Sequence, residues 1–307
     1  MKILLTGASG LIGTALADRL RPDQDCRTLT LRPPYFVPPE DIEWADAVIS
    51  LNGVPLAHLP WTPDYRRQIA ASRVNTTAAI ARAIAQASTP PTVWLAASAV
   101  GIYGDRGDEA LTEEAAPGRG FLAEVTKAWE KAAGLAGGRT RVVNLRTGLV
   151  ITSQTGLAAR AGLGSAWWPW VSLADEVGAI VHALGHDQIV GPVNIVGPTP
   201  ARHPIRVPGF ALHALLGQVA DELMLPSQKV VPAKLVDSGY RFVHNNVESA
   251  IAKRRPVAHA KENHPGATRD FIPLLGRGGS REATDGVVCR VTAHAKENHP
   301  GATRHPS

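Results

Sequence analysis

Short apolar segments alternate with amphipathic stretches along the first 200 residues of the chain. Apolar runs and period-two alternation predict strands, whereas apolar positions three and four residues apart predict helices. The predicted strands are 2–6, 28–31, 47–51, 93–97, 140–145 and 193–196. The predicted helices are 14–20, 63–87, 121–135, 173–184 and 210–223. Because the two kinds of element alternate, we expect an α/β fold, a doubly wound parallel sheet with helices on both faces.

The first strand runs directly into the glycine-spaced turn Gly7-Ala-Ser-Gly10-Leu11-Ile12-Gly13, which opens the first helix. Gly7 permits a tight turn, Gly10 allows a diphosphate to approach the backbone, and Gly13 lets helix and strand pack closely. The free N–H groups at the helix start, at Leu11 and Ile12, would face the phosphates. This order of elements predicts a Rossmann-type dinucleotide-binding element; the alternative is an ordinary strand–turn–helix with flexible glycines.

Polar residues follow other predicted strands at the same edge of the sheet. Leu51-Asn52-Gly53 closes the third strand, and Ser98 follows the fourth. Ligands of such sheets bind beyond the carboxyl ends of the strands, so these residues join the candidate site.

The end of the second strand bears on the choice of cofactor. An acidic residue there would hydrogen-bond the ribose 2′-hydroxyl of NAD. This chain has Leu31-Arg32 instead, and a guanidinium suits a 2′-phosphate. We therefore expect NADP in preference to NAD; the alternative is a surface arginine at a strand end.

Length and composition narrow the class of protein. The 307 residues are 44% hydrophobic, enough for one large α/β core, and no apolar run approaches the length of a membrane span. The strand beginning at Lys2 leaves no room for a signal peptide, and two distant cysteines suggest no disulfide framework. These features predict a cytoplasmic protein with no membrane partner.

The net charge of +5 comes from the C-terminal tail. Residues 253–307 contain ten Lys or Arg and five Asp or Glu, so the preceding 252 residues are neutral and give no case for nucleic-acid binding. A 12-residue segment, 258–269, recurs unchanged at 293–304 with almost no apolar residues. We expect a disordered tail rather than a structural repeat, and no metal site, although its histidines leave loose metal binding open.

The chain resembles the extended short-chain dehydrogenase/reductase superfamily. Within it, the chain is similar to the NAD(P)-dependent epimerase-like proteins that carry a C-terminal domain of unknown function, DUF1731. The matching motifs are the glycine turn, Ser50-Leu-Asn-Gly-Val-Pro55, Trp61-Thr-Pro63, Ser72-Arg73, Ser98-Ala-Val-Gly-Ile-Tyr-Gly104, Trp129-Glu130, Leu145-Arg-Thr-Gly148, Gly191-Pro-Val-Asn194, Ala220-Asp-Glu-Leu223, Ser227-Gln-Lys-Val-Val-Pro-Ala-Lys234 and Gly239-Tyr-Arg-Phe242. The resemblance implies a nucleotide-binding domain at 1–197, a small substrate-side lobe at 198–252, and NADP contacts at Leu31-Arg32, Leu51-Asn52, Gln68, Arg73 and Val150.

The resemblance also raises a question about chemistry. Superfamily members use a tyrosine acid/base and a lysine four residues later, but no Tyr-x-x-x-Lys occurs in this chain. Aligning Trp129-Glu130 with the superfamily helix puts Leu122 at the tyrosine position and Thr126 at the lysine position. Lys127 follows the lysine position by one residue, and one residue corresponds to a rotation of about 100° around a helix.

Two residues remain as catalytic candidates. Ser98 could orient a carbonyl oxygen and Tyr103 could donate a proton; the alternatives are a strand-end hydroxyl and loop packing. The chain between Val150 and Trp170 is also shorter than the family pattern, and Val171-Ser-Leu-Ala-Asp175 stands where the family tends to have a histidine and two acids. Trp167, Trp168 and Trp170 could cover an apolar pocket or pack a hydrophobic junction.

Three functions follow. The first is an NADP-dependent oxidoreductase or epimerase acting on a small carbonyl or sugar-like molecule. The second is a non-catalytic NADP-binding sensor or interaction module, and the third is a decayed family member. By analogy with the fold, the chain could form a homodimer.

Overall fold

The computed structural model describes residues 1–152, 166–202, 213–214 and 217–252. Its strands are β1 (Lys2–Thr6), β2 (Asp25–Leu29), β3 (Ala47–Ser50), β4 (Val93–Ala99), β5 (Ala110–Leu111), β6 (Arg141–Thr147), β7 (Leu149–Ile151), β8 (Trp167–Trp168), β9 (Trp170–Ser172), β10 (Gly191–Ile195), β11 (Ala201–Arg202) and β12 (Lys229–Val230). Its α-helices are α1 (Leu11–Leu20), α2 (Pro39–Trp44), α3 (Pro63–Gln86), α4 (Phe121–Ala133), α5 (Leu173–Gly185), α6 (Ala233–Asp237) and α7 (Val247–Ile251).

The central sheet confirms the predicted fold class. Its strands are all parallel, in the order β10-β6-β4-β3-β1-β2. Strand β1 pairs with β2 on one side and with β3 on the other, so the order in which strands are added to the sheet reverses at β1. The carboxyl ends at such a reversal form the usual ligand crevice of a doubly wound sheet.

Both faces of the sheet are covered, which explains the continuous apolar strands. Ile3 and Leu5 of β1 pack with residues of α1 and α5, whereas Leu4 packs with residues of α2 and α3 on the opposite face. Because successive strand residues point to opposite faces, both sets must be apolar when helices cover both sides.

The second strand was predicted three residues too late. Strand β2 covers Asp25–Leu29, paired in register from Lys2 opposite Asp25 to Thr6 opposite Leu29. It lies at the sheet edge and leaves Asp25, Arg27 and Thr28 exposed, so its sequence carries little hydrophobic signal. Leu31 and Arg32 therefore lie beyond the strand rather than at its end.

The segment around Val243 is held to the start of α5 by hydrogen bonds that Asp175 accepts. Its carboxylate accepts the backbone N–H of Val243 at 2.6 Å and that of His244 at 3.1 Å. Strand β12 pairs with β5, and Leu235 of α6 is buried in the core. The described residues up to Ala252 belong to one compact unit, and the division at residue 197 stays a prediction.

Several predictions concern residues beyond this description. Within the predicted helix 210–223, residues 213–214 are helical and Ala220–Met224 form a π-helical turn, while most of the remainder lies outside the described residues. The tail 253–307, with its repeated segment, also lies outside them. In the described part of the chain, no helix is both long enough and apolar enough to cross a membrane.

Candidate nucleotide and substrate site

The glycine turn after β1 is shaped by close backbone approaches. Gly7 has φ +77°, and a Cβ there would lie 2.6 Å from the carbonyl carbon of Leu51. A Cβ on Gly13 would overlap the carbonyl oxygen of Gly7. Neither position can hold a side chain without moving main-chain atoms, so this turn requires glycine at both.

Gly10 has a different reason to be glycine. A Cβ there would meet only the carbonyl oxygen of Gly7, at an ordinary 3.5 Å. The protein itself therefore tolerates a side chain at Gly10, and the free space lies at the start of α1. That helix has no side-chain cap and no acidic residue in its first turn. Uncapped N–H groups and the positive end of the helix dipole suit a diphosphate.

A cavity of about 270 Å³ opens beside this turn, over the carboxyl ends of β3, β4 and β6. Five of the predicted cofactor residues line it: Ile12, Leu51, Asn52, Gly53 and Arg73. Asn52 is also fixed by the hydroxyl of Thr6, which donates a short hydrogen bond to its side-chain oxygen. The structure thus brings the segment after β3 together with the start of α1.

Other predicted cofactor residues lie outside the cavity. Leu31 is buried in the core, and Arg32 is exposed beyond β2. Gln68 is exposed on α3, and Val150 packs against the core; neither belongs to the cavity lining. Leu11 is exposed at the start of α1, beside Gly10.

Arg73 is the charged group at the β3 end of the cavity. Its guanidinium donates to the carbonyl oxygens of Ile69 and Val54, each at 3.1 Å. A Cβ on Gly53 would lie 3.1 Å from its Cζ, so glycine at that position leaves the guanidinium its place. Burial lowers the pKa of Arg73 to about 10. This value is still well above 7, so the guanidinium is positively charged at neutral pH.

Ser98 lines the cavity at the carboxyl end of β4, as predicted. Its hydroxyl donates to Oε1 of Glu130 at 2.6 Å. Glu130 also accepts from Nε and Nη2 of Arg146, at 2.8 and 2.9 Å, in a largely buried ion pair. The role of Ser98 in orienting a carbonyl oxygen stays a prediction; without substrate, its hydroxyl proton is directed to Glu130.

Tyr103 does not reach the cavity. Its side chain is fully buried, and its hydroxyl donates to Oδ1 of Asn194 at 2.7 Å while accepting from Arg146 at 2.9 Å. Burial raises its pKa, against the lowering effect of Arg146, so the phenol stays neutral. The predicted role as proton donor is corrected: Tyr103 supports Arg146 from inside the core.

The positions that match the superfamily's tyrosine and lysine do line the cavity. Leu122 and Thr126 are buried there on α4, and the Thr126 hydroxyl donates to the carbonyl oxygen of Leu122 at 2.8 Å. Lys127 instead forms an ion pair with Glu124, whose side chain is 66% exposed. Lys127 does not line the cavity. The conventional acid/base pair is therefore absent from these described positions.

Sequence reasoning missed the contribution of the C-terminal region. Glu222 lines the cavity and accepts the N–H groups of Phe121 and Leu122, at 2.8 and 3.0 Å, so it caps α4 from a distant segment. The motif Ala220-Asp-Glu-Leu223 had indicated the family but no place in the site. Trp167 and Trp168 also line the cavity. Trp168 packs in one buried cluster with Trp170, Ile151 and Ala250, and Trp170 is not part of the cavity lining.

A buried acid lies beneath the same edge. Glu176 on α5 is fully buried; its Oε1 accepts the hydroxyl of Thr147 at 2.8 Å, and its Oε2 has no hydrogen-bond partner among the described residues. Burial raises its pKa to about 8, and the Thr147 hydrogen bond only partly opposes this. Glu176 is therefore largely neutral at pH 7.

A parallel sheet with this glycine turn and cavity defines a protein of the Rossmann-type dinucleotide-binding class. Comparisons with known proteins agree. Residues 207–253 match the family described as a domain of unknown function, DUF1731. An epimerase family protein of Mycobacterium leprae is 33% identical over 296 residues, covering 81% of this chain and 94% of the relative.

Solved structures show the same architecture. The human epimerase family protein SDR39U1, crystallised with NADPH, superimposes with a TM-score of 0.72 at 25% identity, covering 82% of this chain and 98% of that chain. A nucleoside-diphosphate sugar epimerase from Corynebacterium glutamicum superimposes with a TM-score of 0.67 at 29% identity, covering 82% of this chain and 57% of that chain. The chain belongs to the NAD(P)-dependent epimerase-like family with a C-terminal DUF1731 domain, which confirms the resemblance.

Proposed function

We propose that this chain is an NADP-dependent oxidoreductase or epimerase that acts on a small carbonyl or sugar-like molecule. The main support is the turn at Gly7, Gly10 and Gly13, which leaves free space at the uncapped start of α1. The NADPH in the structure of the human relative agrees with this assignment.

The residues present fit such a cofactor. The N–H groups around Leu11 and Ile12 would hold the diphosphate, and Asn52 and Arg73 would face the part of the cofactor that enters the cavity. Arg32, exposed beyond β2, would pair with a 2′-phosphate. A bound nicotinamide supplies hydride chemistry; the chain supplies position, a partly apolar lining and hydrogen bonds.

A second function is favoured by one observation. Leu122 and Thr126 stand at the positions of the superfamily's tyrosine and lysine, so the part of the cavity lined by α4 (the α4 end) lacks the acid/base pair that superfamily members use. A non-catalytic NADP-binding module would need no such pair. The described residues keep a six-stranded sheet with buried apolar residues on both faces, which weighs against a decayed family member.

Calorimetric titration with NADPH and NADH tests the proposal. We expect NADPH to bind and NADH to bind at least tenfold more weakly, because only NADPH carries the 2′-phosphate. A screen of carbonyl compounds for NADPH oxidation then separates the enzyme from the binding module. Failure of both nucleotides to bind would exclude both functions.

A further inference from the structure

One carboxylate reaches the cavity from the C-terminal region. Glu222 belongs to the turn Ala220–Met224, and its two oxygens accept the backbone N–H groups of Phe121 and Leu122, at 2.8 and 3.0 Å. Because each oxygen takes one amide at the start of α4, the carboxylate is fixed in position and in orientation. Each oxygen keeps a further lone pair that a ligand can use.

The residue before α4 leaves room for this carboxylate. Gly120 has φ +117°, and a Cβ there would lie 3.2 and 3.3 Å from the two side-chain oxygens of Glu222. A residue with a side chain would crowd the carboxylate and would strain the backbone at this φ. Glycine at position 120 therefore permits the close approach of Glu222 to the helix start.

Glu222 is the group in the cavity lining that can exchange a proton near neutral pH. Among the described residues of the lining, only Glu222 and Arg73 are ionisable. The pKa of Arg73 is about 10, so its guanidinium stays protonated. Within the described part of the chain no Lys, Arg or His forms an ion pair with Glu222, whereas Glu130 is held by Arg146. The Glu222 carboxylate is thus available to take a proton from a ligand.

The position of Glu222 coincides with the function that α4 lacks. Leu122, whose N–H the carboxylate accepts, stands where superfamily members have the tyrosine acid/base. The leucine side chain cannot transfer a proton. Thr126, at the lysine position, donates its hydroxyl to the carbonyl oxygen of Leu122. A distant segment therefore brings a proton acceptor to the helix turn that has none of its own.

We propose that Glu222 is the acid/base residue of this cavity and accepts the hydroxyl proton of the substrate in place of the superfamily's tyrosine. This inference rests on the proposed function, which supplies the oxidant. In alcohol oxidation the carbon gives a hydride, with two electrons, to the oxidised nicotinamide, and the oxygen gives its proton to Glu222 as the C=O bond forms. In reduction the protonated carboxyl returns that proton to the carbonyl oxygen.

The test measures proton transfer without nucleotide and without the natural substrate. The probe is 5-nitrobenzisoxazole: when a base removes its C–H proton, the ring N–O bond breaks and a coloured cyanophenolate forms. We expect the wild-type chain to catalyse this elimination with saturation, and the rate to fall at low pH because only the ionised carboxylate accepts a proton. Glu222→Gln should lower kcat about a hundredfold with KM within about twofold, since a positioned base contributes at least about that factor.

Glu124→Gln is the matched control. Glu124 is an exposed carboxylate on α4 outside the cavity lining, so this variant should keep the wild-type rate. Glu222→Ala separates proton transfer from the contact with α4. Sodium acetate should restore part of its elimination rate, after subtraction of the rate without protein, whereas an equal concentration of sodium chloride should not. Acetate can bind the vacated N–H groups of Phe121 and Leu122 and accept the proton itself.

Several results would overturn the proposal: no elimination by the wild-type chain, a wild-type rate equal to that of Glu222→Gln, a rate independent of pH, or a Glu222→Ala rate that acetate leaves unchanged. A glutamate that only caps α4 would give equal rates in wild type and Glu222→Gln. Because the assay contains no nucleotide, a failure here is distinguishable from a failure of NADPH binding, which calorimetry reports.

Discussion

The glycine turn and the α4 end of the cavity are built in opposite ways. The turn depends on the backbone, because Gly7 and Gly13 approach main-chain atoms too closely for side chains. The α4 end depends on side chains from separated segments, with Ser98 at the carboxyl end of β4, Glu130 on α4 and Arg146 on β6. A backbone-defined site keeps one ligand class. A side-chain-defined site can change its chemistry by few substitutions while keeping its shape.

The largest effect is expected where the side-chain network is broken. Glu130→Ala leaves Arg146 buried without its carboxylate, and an uncompensated buried charge costs about 3–5 kcal/mol. Denaturant unfolding should show that loss, while NADPH affinity of the folded fraction stays within about threefold, a difference below 1 kcal/mol.

The control is Glu124→Ala, which removes an exposed ion-pair partner of Lys127 on the same helix. Its cost should stay below about 1 kcal/mol. Equal losses in the two variants would contradict the view that the α4 end relies on a buried network.

The second prediction concerns the pH dependence of stability beneath the cavity. Folded Glu176 has a pKa of about 8 against an ordinary value of 4.5. Between these values the folded state retains a proton that the unfolded chain has lost. The free energy of unfolding should therefore fall as pH rises from 4.5 to 8, by up to about 1.4 kcal/mol per pH unit.

Glu176→Gln should remove this slope while keeping an oxygen for the Thr147 hydroxyl. Denaturant unfolding at pH 5, 6, 7 and 8 measures this slope. The free energy of unfolding of the variant, relative to that of the wild-type chain, should increase with pH. Glu114→Gln, at an exposed site, should unfold in parallel with the wild-type chain. A parallel pH dependence of Glu176→Gln and wild type would refute the burial argument.

The same contrast explains what the sequence could predict. Apolar runs in covered strands and the glycine spacing are local, so the sheet, α3 and the turn were found close to their observed positions. Strand β2 was misplaced because an edge strand needs no continuous apolar run. Glu222 and the buried position of Tyr103 were missed because both depend on which distant segments meet.

A third prediction tests the glycine turn, the part of the site that depends on the backbone. Gly13→Ala forces a Cβ onto the carbonyl oxygen of Gly7, and such overpacking costs about 1–3 kcal/mol. Since α1 must then move away from β1, calorimetry should show NADPH affinity reduced about tenfold or more, by loss of amide contacts. Gly134→Ala is the control, because a Cβ there meets nothing within 4 Å. It should leave NADPH affinity unchanged, and an equal loss in both variants would contradict the prediction.

The smallest expected effect concerns Arg32, which lies outside the cavity and acts only through charge. Arg32→Glu replaces a partner of the 2′-phosphate with a repelling carboxylate, so NADPH affinity should fall about tenfold while NADH affinity changes little. Arg21→Glu makes the same charge change at an exposed position after α1 and should leave the NADPH-to-NADH ratio intact. If both variants weaken NADPH equally, general electrostatics rather than a contact at Arg32 sets the preference. If neither does, the 2′-phosphate is recognised elsewhere, and the exposed guanidinium beyond β2 is a surface residue.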